Sequence, residues 1–348
     1  MAGADGRREQ LSKNAAVTST DPGHEDEGLA ALEHELLGGL RRYTRQQVAE
    51  ETGVSVDEAR VLWRALGFAD VGDDDPVFTD RDVQALRSVG ELVSRGIIDA
   101  DTQLAMTRAM GQSLSRLAEW QVAAITAALG AGAPLDPESA TAAARELVPV
   151  MEGLIDYVWR RHLAAAAGRA LAVSADGSVA RSLVVGFADL VGFTSLTRHA
   201  DEKELALLVD LFEAAAADVV AELGGRVIKT VGDEVMFTAD DPQTGAEIAL
   251  RLAERVAAID GLPDLRIGLA YGTVLSRLGD VYGEPVNIAA RLTSIARPDS
   301  VLVDRELAAA LDGDDRWRLR RTPPRPVRGY ALLHPVRLRR SSEPPGNE

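Results

Sequence analysis

The sequence predicts an α+β protein in two parts, an all-helical N-terminal half followed by a half in which strands and helices alternate. Three observations predict it. From Leu29 to about Ala172, apolar residues recur at three- and four-residue spacing behind capping residues. At Ala175-Asp176-Gly177-Ser178 the texture changes to short β-rich runs. The composition is that of a soluble globular chain, with 46% hydrophobic and 26% charged residues over 348 positions, long enough for about two domains.

The elements follow in order. Residues 1 to about 28 are rich in Gly, Asp, Glu, Ser and Thr and read as a disordered arm. Helix starts then recur at Thr44, Ser55, Thr79 and Asp99 or Asp101, each a capping residue ahead of an apolar stripe. Pro137 opens a further helix, which Pro149 is expected to kink or break. In the second half, Arg181–Asp189 (RSLVVGFAD) is a strand and Asp201 to Leu223 an amphipathic helix ended by Gly224-Gly225. RVIKTV and EVMFTA flank Gly232-Asp233, a two-residue hairpin signal. A helix from about Pro242 to Ile259, a strand at Leu265–Tyr271, a helix at Glu284–Ala296 and a strand at Val301–Val303 complete a β-α-β-β-α-β order. That order points to a ferredoxin-like sheet with extra C-terminal elements. The tail from Leu338 (LRRSSEPPGNE) reads as disordered.

Composition excludes several function classes. Without cysteine there are no disulfides, thiolate metal sites or Cys nucleophiles, and a reducing cytoplasm is the expected compartment. A formal net charge of −16 argues against a broad nucleic-acid footprint. No apolar run reaches the roughly 18 residues of a membrane span.

The chemistry-bearing residues sit in the second half. Asp189 closes the first strand and Asp233 lies at the hairpin tip. Taken singly, each reads as an ordinary turn aspartate; at adjacent strand ends, two carboxylates make a hard-oxygen site suited to Mg²⁺. The Gly192-Phe193-Thr194 turn opens toward a helix, and its N–H groups could hold phosphate oxygens. Asn287 and Arg291 share a helix face at i,i+4 spacing and suit an anionic phosphorus centre; alone, they read as a surface amide and a solvated cation. Lys229 and Asp280 offer one donor and one acceptor to a purine edge, a pairing that fits adenine in one register and guanine in another.

Four blocks carry a resemblance: FADLVGFT, VIKTVGDEVMF, LRIGLAYGTV and GDVYGEPVNIAARL, in that order. Residues 181–335 resemble the catalytic domain of class III nucleotidyl cyclases, and the whole chain resembles actinobacterial adenylate cyclases that carry an N-terminal helical domain. The resemblance implies that Asp189 and Asp233 bind two divalent ions, Mg²⁺ or Mn²⁺. It implies that Lys229 and Asp280 read adenine, where guanylate cyclases resemble Glu and Cys, and that Asn287 and Arg291 stabilise the transition state. It implies a head-to-tail homodimer with shared sites, converting ATP to cyclic AMP and pyrophosphate. The family often has an arginine where Thr273 stands, so Arg328, or else Arg277, is the candidate for the terminal phosphates. Gly232-Asp233-Glu234 also resembles part of the Gly-Gly-Asp-Glu-Phe signature of diguanylate cyclases, but Val231 and Val235 stand at its first Gly and its Phe.

Two readings compete for the first half. Tyr43–Ser55 and Phe78–Val83 resemble the start of MerR-type helix-turn-helix regulators. Residues 41–95, however, hold 8 Arg and no Lys against 11 acidic residues, the wrong charge for DNA. The other reading is a helical regulatory domain, which in the type this chain resembles is associated with pH sensitivity and a lipid effector. His162, near the junction, is the candidate titrating residue. The expected division is an arm at 1–28, the regulatory domain at 29–165, a linker or transducer at 166–180, the catalytic domain at 181–337 and a tail at 338–348. Guanylate cyclase activity, or an inert cyclase-like domain behind a helix-turn-helix, are the alternative readings.

Overall fold

The structure, a computed structural model, describes residues 22–129, 136–176, 181–196, 201–277, 279–327 and 330–341. Two compact units part between Ala166 and Ala167.

The first unit is helical: α1 (Pro22–Leu37), α2 (Arg45–Thr52), α3 (Val56–Ala65), α4 (Asp80–Ser94), α5 (Ala100–Leu129) and α6 (Pro137–Asp176). The capping residues act as the sequence implies. Thr44 and Thr79 each close a capping box, with Gln47 and Asp82, and Ser55 accepts from the N–H of Glu58. Val48, Phe78 and Val83 form a small core, and Trp63 meets Phe78 edge-on at 4.6 Å. Arg45, 1% exposed, is held by Asp73 at 2.5 Å and Asp70 at 3.2 Å.

Two expectations are corrected here. Helix α1 begins at Pro22, so residues 22–28 are helical rather than part of a disordered arm; 1–21 lie outside the described residues. A proline at the first position suits a helix start, because its missing N–H has no intrahelical partner there anyway. Pro149 does not break α6, which runs unbroken through it. Residues 166–176, the start of the expected linker or transducer, are the last turns of that same helix, in keeping with the helical pattern read to about Ala172. Among the described residues no helix is long and apolar enough to cross a membrane.

The second unit contains β1 (Arg181–Leu190), α7 (Phe193–Leu196), α8 (Glu202–Glu222), β2 (Arg226–Val231), β3 (Glu234–Ala239), α9 (Pro242–Ala257), β4 (Leu265–Arg277), β5 (Asp280–Tyr282) and α10 (Glu284–Ile295). Then come β6 (Ser300–Val303), α11 (Arg305–Leu311), β7 (Trp317–Arg321), β8 (Arg325–Val327), β9 (Tyr330–Leu333) and β10 (Val336–Arg340). The main sheet runs β2-β3-β1-β4-β6-β10-β7, with β5 paired to β4. Its first four strands give the expected ferredoxin-like order, with β1 antiparallel to both β3 and β4.

β1 is buried on both faces. Val184, Ala188 and Leu190 join the larger core with Phe212 of α8 and Ile248 of α9. Leu183, Val185 and Phe187 join a second cluster with Ala289 of α10. Helix α10 lies hard against β4: a Cβ on Gly268 would sit 2.3 Å from Thr293 N and 2.5 Å from Ala289 O. The C-terminus differs from expectation. β10 runs to Arg340 and pairs with both β6 and β7, and Leu338 is 1% exposed. The run VRLRR alternates apolar and basic residues, so half of a charge-rich segment faces the core.

Candidate active site

The site starts from the end of β1. Asp189 is its penultimate residue, opposite Glu234 on β3 and Arg266 on β4. The three therefore project from the same sheet face, the one that carries the Leu183–Val185–Phe187 cluster. The β2–β3 turn is tight, with Gly232 at φ +62°, and the N–H of Leu190 donates to the carbonyl of Asp233 at 3.1 Å. This pins the turn beside the strand end. Asp189 and Asp233 are thereby brought together. Burial pushes the Asp189 carboxyl above its ordinary range, the hydrogen-bonded Arg266 guanidinium opposes this, and the Asp233 charge adds to the rise. Arg266 Nε donates to Asp189 Oδ2 at 2.5 Å. Glu234 is likewise pushed up by burial first, then by Asp189 and Asp233. Two carboxylates, Asp189 and Asp233, at adjacent strand ends are oxygen donors of the kind a hard divalent cation takes.

Lys229 and Asp280 form the second pair. They come from β2 and β5, and Nζ lies 2.6 Å from Oδ2. Burial works to raise Asp280, but hydrogen bonds from Lys229 and from the Val281 N–H outweigh it and hold the carboxyl below its ordinary range. An ionised acceptor and a charged donor thus stand ready side by side.

Asn287 and Arg291 are exposed on α10, one turn apart. Their helix is fixed by the Gly268 contact and by Thr293, whose Oγ1 lies 3.2 Å from the carbonyl of Phe187 on β1. Among the described residues, no hydrogen bond or salt bridge joins Asn287 or Arg291 to either of the other pairs.

The remaining expected residues divide. Gly192 takes a positive φ of +77° in the turn after β1. The Phe193 side chain is 8% exposed and packs in the larger core, so its side chain does not line a substrate pocket and only its backbone faces that role. Thr194 lies in α7, with its side chain outside the described residues. Arg328 and the side chain of Arg277 also lie outside them. Thr273 is exposed on β4. Sequence reasoning missed Arg266 and Glu234. Glu234 was visible as the acid next to Asp233, whereas Arg266 becomes recognisable only through the β1/β4 register.

The adenylate and guanylate cyclase catalytic domain matches residues 179–336. An adenylate cyclase of Streptomyces coelicolor is 42% identical over 370 aligned positions, covering 97% of this chain and 96% of that protein. An adenylate cyclase of Streptomyces griseus is 44% identical, covering 88% of this chain and 79% of that protein. A pH-sensitive adenylate cyclase of Mycobacterium tuberculosis is 34% identical over 86% of this chain and 79% of its own length. With the likeness running through both units and the four motif blocks falling inside the matched domain, the chain belongs to the class III adenylate cyclase family.

Proposed function

We propose that this chain converts ATP to 3′,5′-cyclic AMP and pyrophosphate in a head-to-tail homodimer, with each site built from both copies. The observation that carries this reading is the meeting of Asp189 and Asp233 where β1 ends beside the β2–β3 turn. Relatives named adenylate cyclase over nearly the whole chain support ATP as the substrate.

One copy supplies the two aspartates, which would hold two Mg²⁺ or Mn²⁺ ions. When bound, such ions lower the pKa of the ribose 3′-hydroxyl and neutralise the triphosphate. Arg266 fixes the Asp189 carboxylate through Oδ2. The turn at Gly192 offers the backbone N–H groups of Phe193 and Thr194 to phosphate oxygens. The partner copy supplies the rest. Lys229 donates to the adenine ring and Asp280 accepts from its 6-amino group, the two giving up their mutual contact as the base enters. Asn287 and Arg291 donate to the charge that develops on the α-phosphate as the 3′-hydroxyl attacks and pyrophosphate departs. Arg328 holds the terminal phosphates. The lack of any contact between the α10 pair and the carboxylates within one chain, among the described residues, supports this division of labour. The helical unit regulates the output, and the pH-sensitive relative supports protons as an input.

The test mixes inactive Asp189→Ala and Asn287→Ala chains in equal amounts. Random assortment makes half the dimers mixed, each with one intact site, so about a quarter of wild-type cyclic AMP output returns. A mixture as inactive as its components refutes the shared site.

A further inference from the structure

We infer that Ile228 is a positioning residue for base recognition: as the extra residue of a bulge in β2, it turns Lys229 onto the sheet face where Asp280 stands. The inference rests on the adenine reading of that pair and adds the residue that sets the pair up.

The ladder between β2 and β3 shows the bulge. Arg226 lies opposite Thr238 and Val227 opposite Phe237, but it is Lys229, not Ile228, that lies opposite Met236, followed by Thr230 opposite Val235. Ile228 is therefore one residue more than the ladder holds. Residues directly opposite each other share a sheet face. Met236 belongs to the cluster of Leu183, Val185 and Phe187, on the face of Asp189, so Lys229 projects there too. Val281, next to Asp280 on β5, belongs to the same cluster. In an unbulged ladder Ile228 would stand opposite Met236 and Lys229 opposite Val235. Val235 faces the larger core with Phe212 of α8, so Lys229 would then point away from β5. The approach of its Nζ to Asp280 Oδ2 at 2.6 Å depends on that single extra residue.

Ile228 also holds the bulge in place. β2 is the edge strand of the main sheet, with its ladder on one side only. Among the described residues, Ile228 is the one apolar side chain of β2 that packs against a core cluster; Val227 and Val231 are 37% and 63% exposed. Truncating it removes the contact that favours the extra residue. A slip of one residue then carries Lys229 to the other face.

The test compares the full-length chain with Ile228→Ala, Ile228→Val and Val185→Ala, the last a truncation in the same cluster but on β1. Two readouts are taken. Carbodiimide coupling joins an amine to a carboxylate only where the two already touch, and peptide mass spectrometry reads the Lys229–Asp280 crosslink. The chain has only three lysines, Lys13, Lys203 and Lys229, so the product is unambiguous. Product analysis with ATP and GTP in competition gives the ratio of cyclic AMP to cyclic GMP. Ile228→Ala should lose most of the crosslink, and its product ratio should fall about tenfold, the scale of one hydrogen bond to a charged group. Ile228→Val and Val185→Ala should keep both. A wild-type crosslink yield in Ile228→Ala would overturn the inference, because Lys229 then holds its face without this anchor. An equal loss in Val185→Ala would overturn it as well, since any truncation in the cluster would then suffice. A lost crosslink with an unchanged product ratio would deny the bulge its part in specificity and refute the adenine reading with it. Should Ile228→Ala fail to fold, Ile228→Thr, which keeps the β-branch and loses apolar contact, is read in the same way.

Discussion

Gly268→Ala separates the placement of α10 from the stability of the sheet. Gly268 sits on β4 opposite Phe187, and a Cβ there would meet Thr293 N at 2.3 Å, Ala289 O at 2.5 Å and Thr293 Oγ1 at 2.6 Å. Two of these three atoms belong to helix backbone and cannot swing aside. Ordinary contact begins near 3.4 Å, so strand and helix must part by about 1 Å. Asn287 and Arg291 travel with that helix. A misplacement of about 1 Å in a positioning element costs on the order of 100-fold in turnover, and overpacking of this kind costs about 1–3 kcal/mol of stability. Gly245→Ala is the matched control: its Cβ would meet the Val184 side chain at 2.6 Å, jamming α9 against β1 on the opposite face. Both variants should lose similar stability in chemical denaturation. Only Gly268→Ala should lose about two orders of magnitude in kcat, measured as cyclic AMP formed per folded chain at saturating ATP. Equal kcat in the two variants would mean that the seat of α10 does not set the catalytic geometry.

Three further outcomes follow from the same structure. Replacing Lys229 by Glu together with Asp280 by Cys removes the preformed donor–acceptor pair and should raise cyclic GMP output relative to cyclic AMP by at least tenfold; product analysis with ATP and GTP in competition reads the ratio, and an unchanged ratio denies these residues the base. Asp304, buried at the end of β6, is pushed up to about 7 by burial, against the opposing N–H groups of Leu307 and Tyr271 and with Glu306 adding to the rise. A folded-state value above the unfolded one means a stabilisation present in acid and lost as pH rises toward 7, at most about 1.4 kcal/mol per pH unit; Asp304→Asn should flatten that slope in melts between pH 5 and pH 7, and a parallel slope contradicts the assignment. His162→Gln should shift the pH profile of cyclic AMP formation in the full chain, and an identical profile removes His162 from any sensing role.

Much of the fold was legible because local signals agreed with the tertiary outcome. Thr44 and Thr79 cap where capping chemistry requires, and Gly232-Asp233 turns where a two-residue hairpin must. Misreadings arose where tertiary packing overrode local texture. LRRSS looks like a solvated tail, yet β6 and β7 together offer ladder partners on both sides, and Leu338 fills the core between them. Pro149 removes one backbone donor from α6, too small a loss to end a helix of 40 residues.

The site divides along the same line. Asp189, Asp233, Lys229 and Asp280 are chemically conspicuous at strand ends and turns, where side chains are free to meet ligands, and the structure brings each pair together. Arg266 is conspicuous only in three dimensions. In sequence it is one more basic residue at the head of a strand, 77 positions from its partner. The β1/β4 register turns it into the group that fixes the orientation of Asp189 and limits the upward pull of burial on its carboxyl. Phe193 shows the same dependence on packing: its place in the motif suggests a role for its backbone N–H, and only the fold shows that its ring is seated in the core beneath that turn. The residues proposed to touch substrate are therefore legible from chemistry and spacing, whereas those that hold them in place depend on register and packing, which no stretch of sequence carries alone.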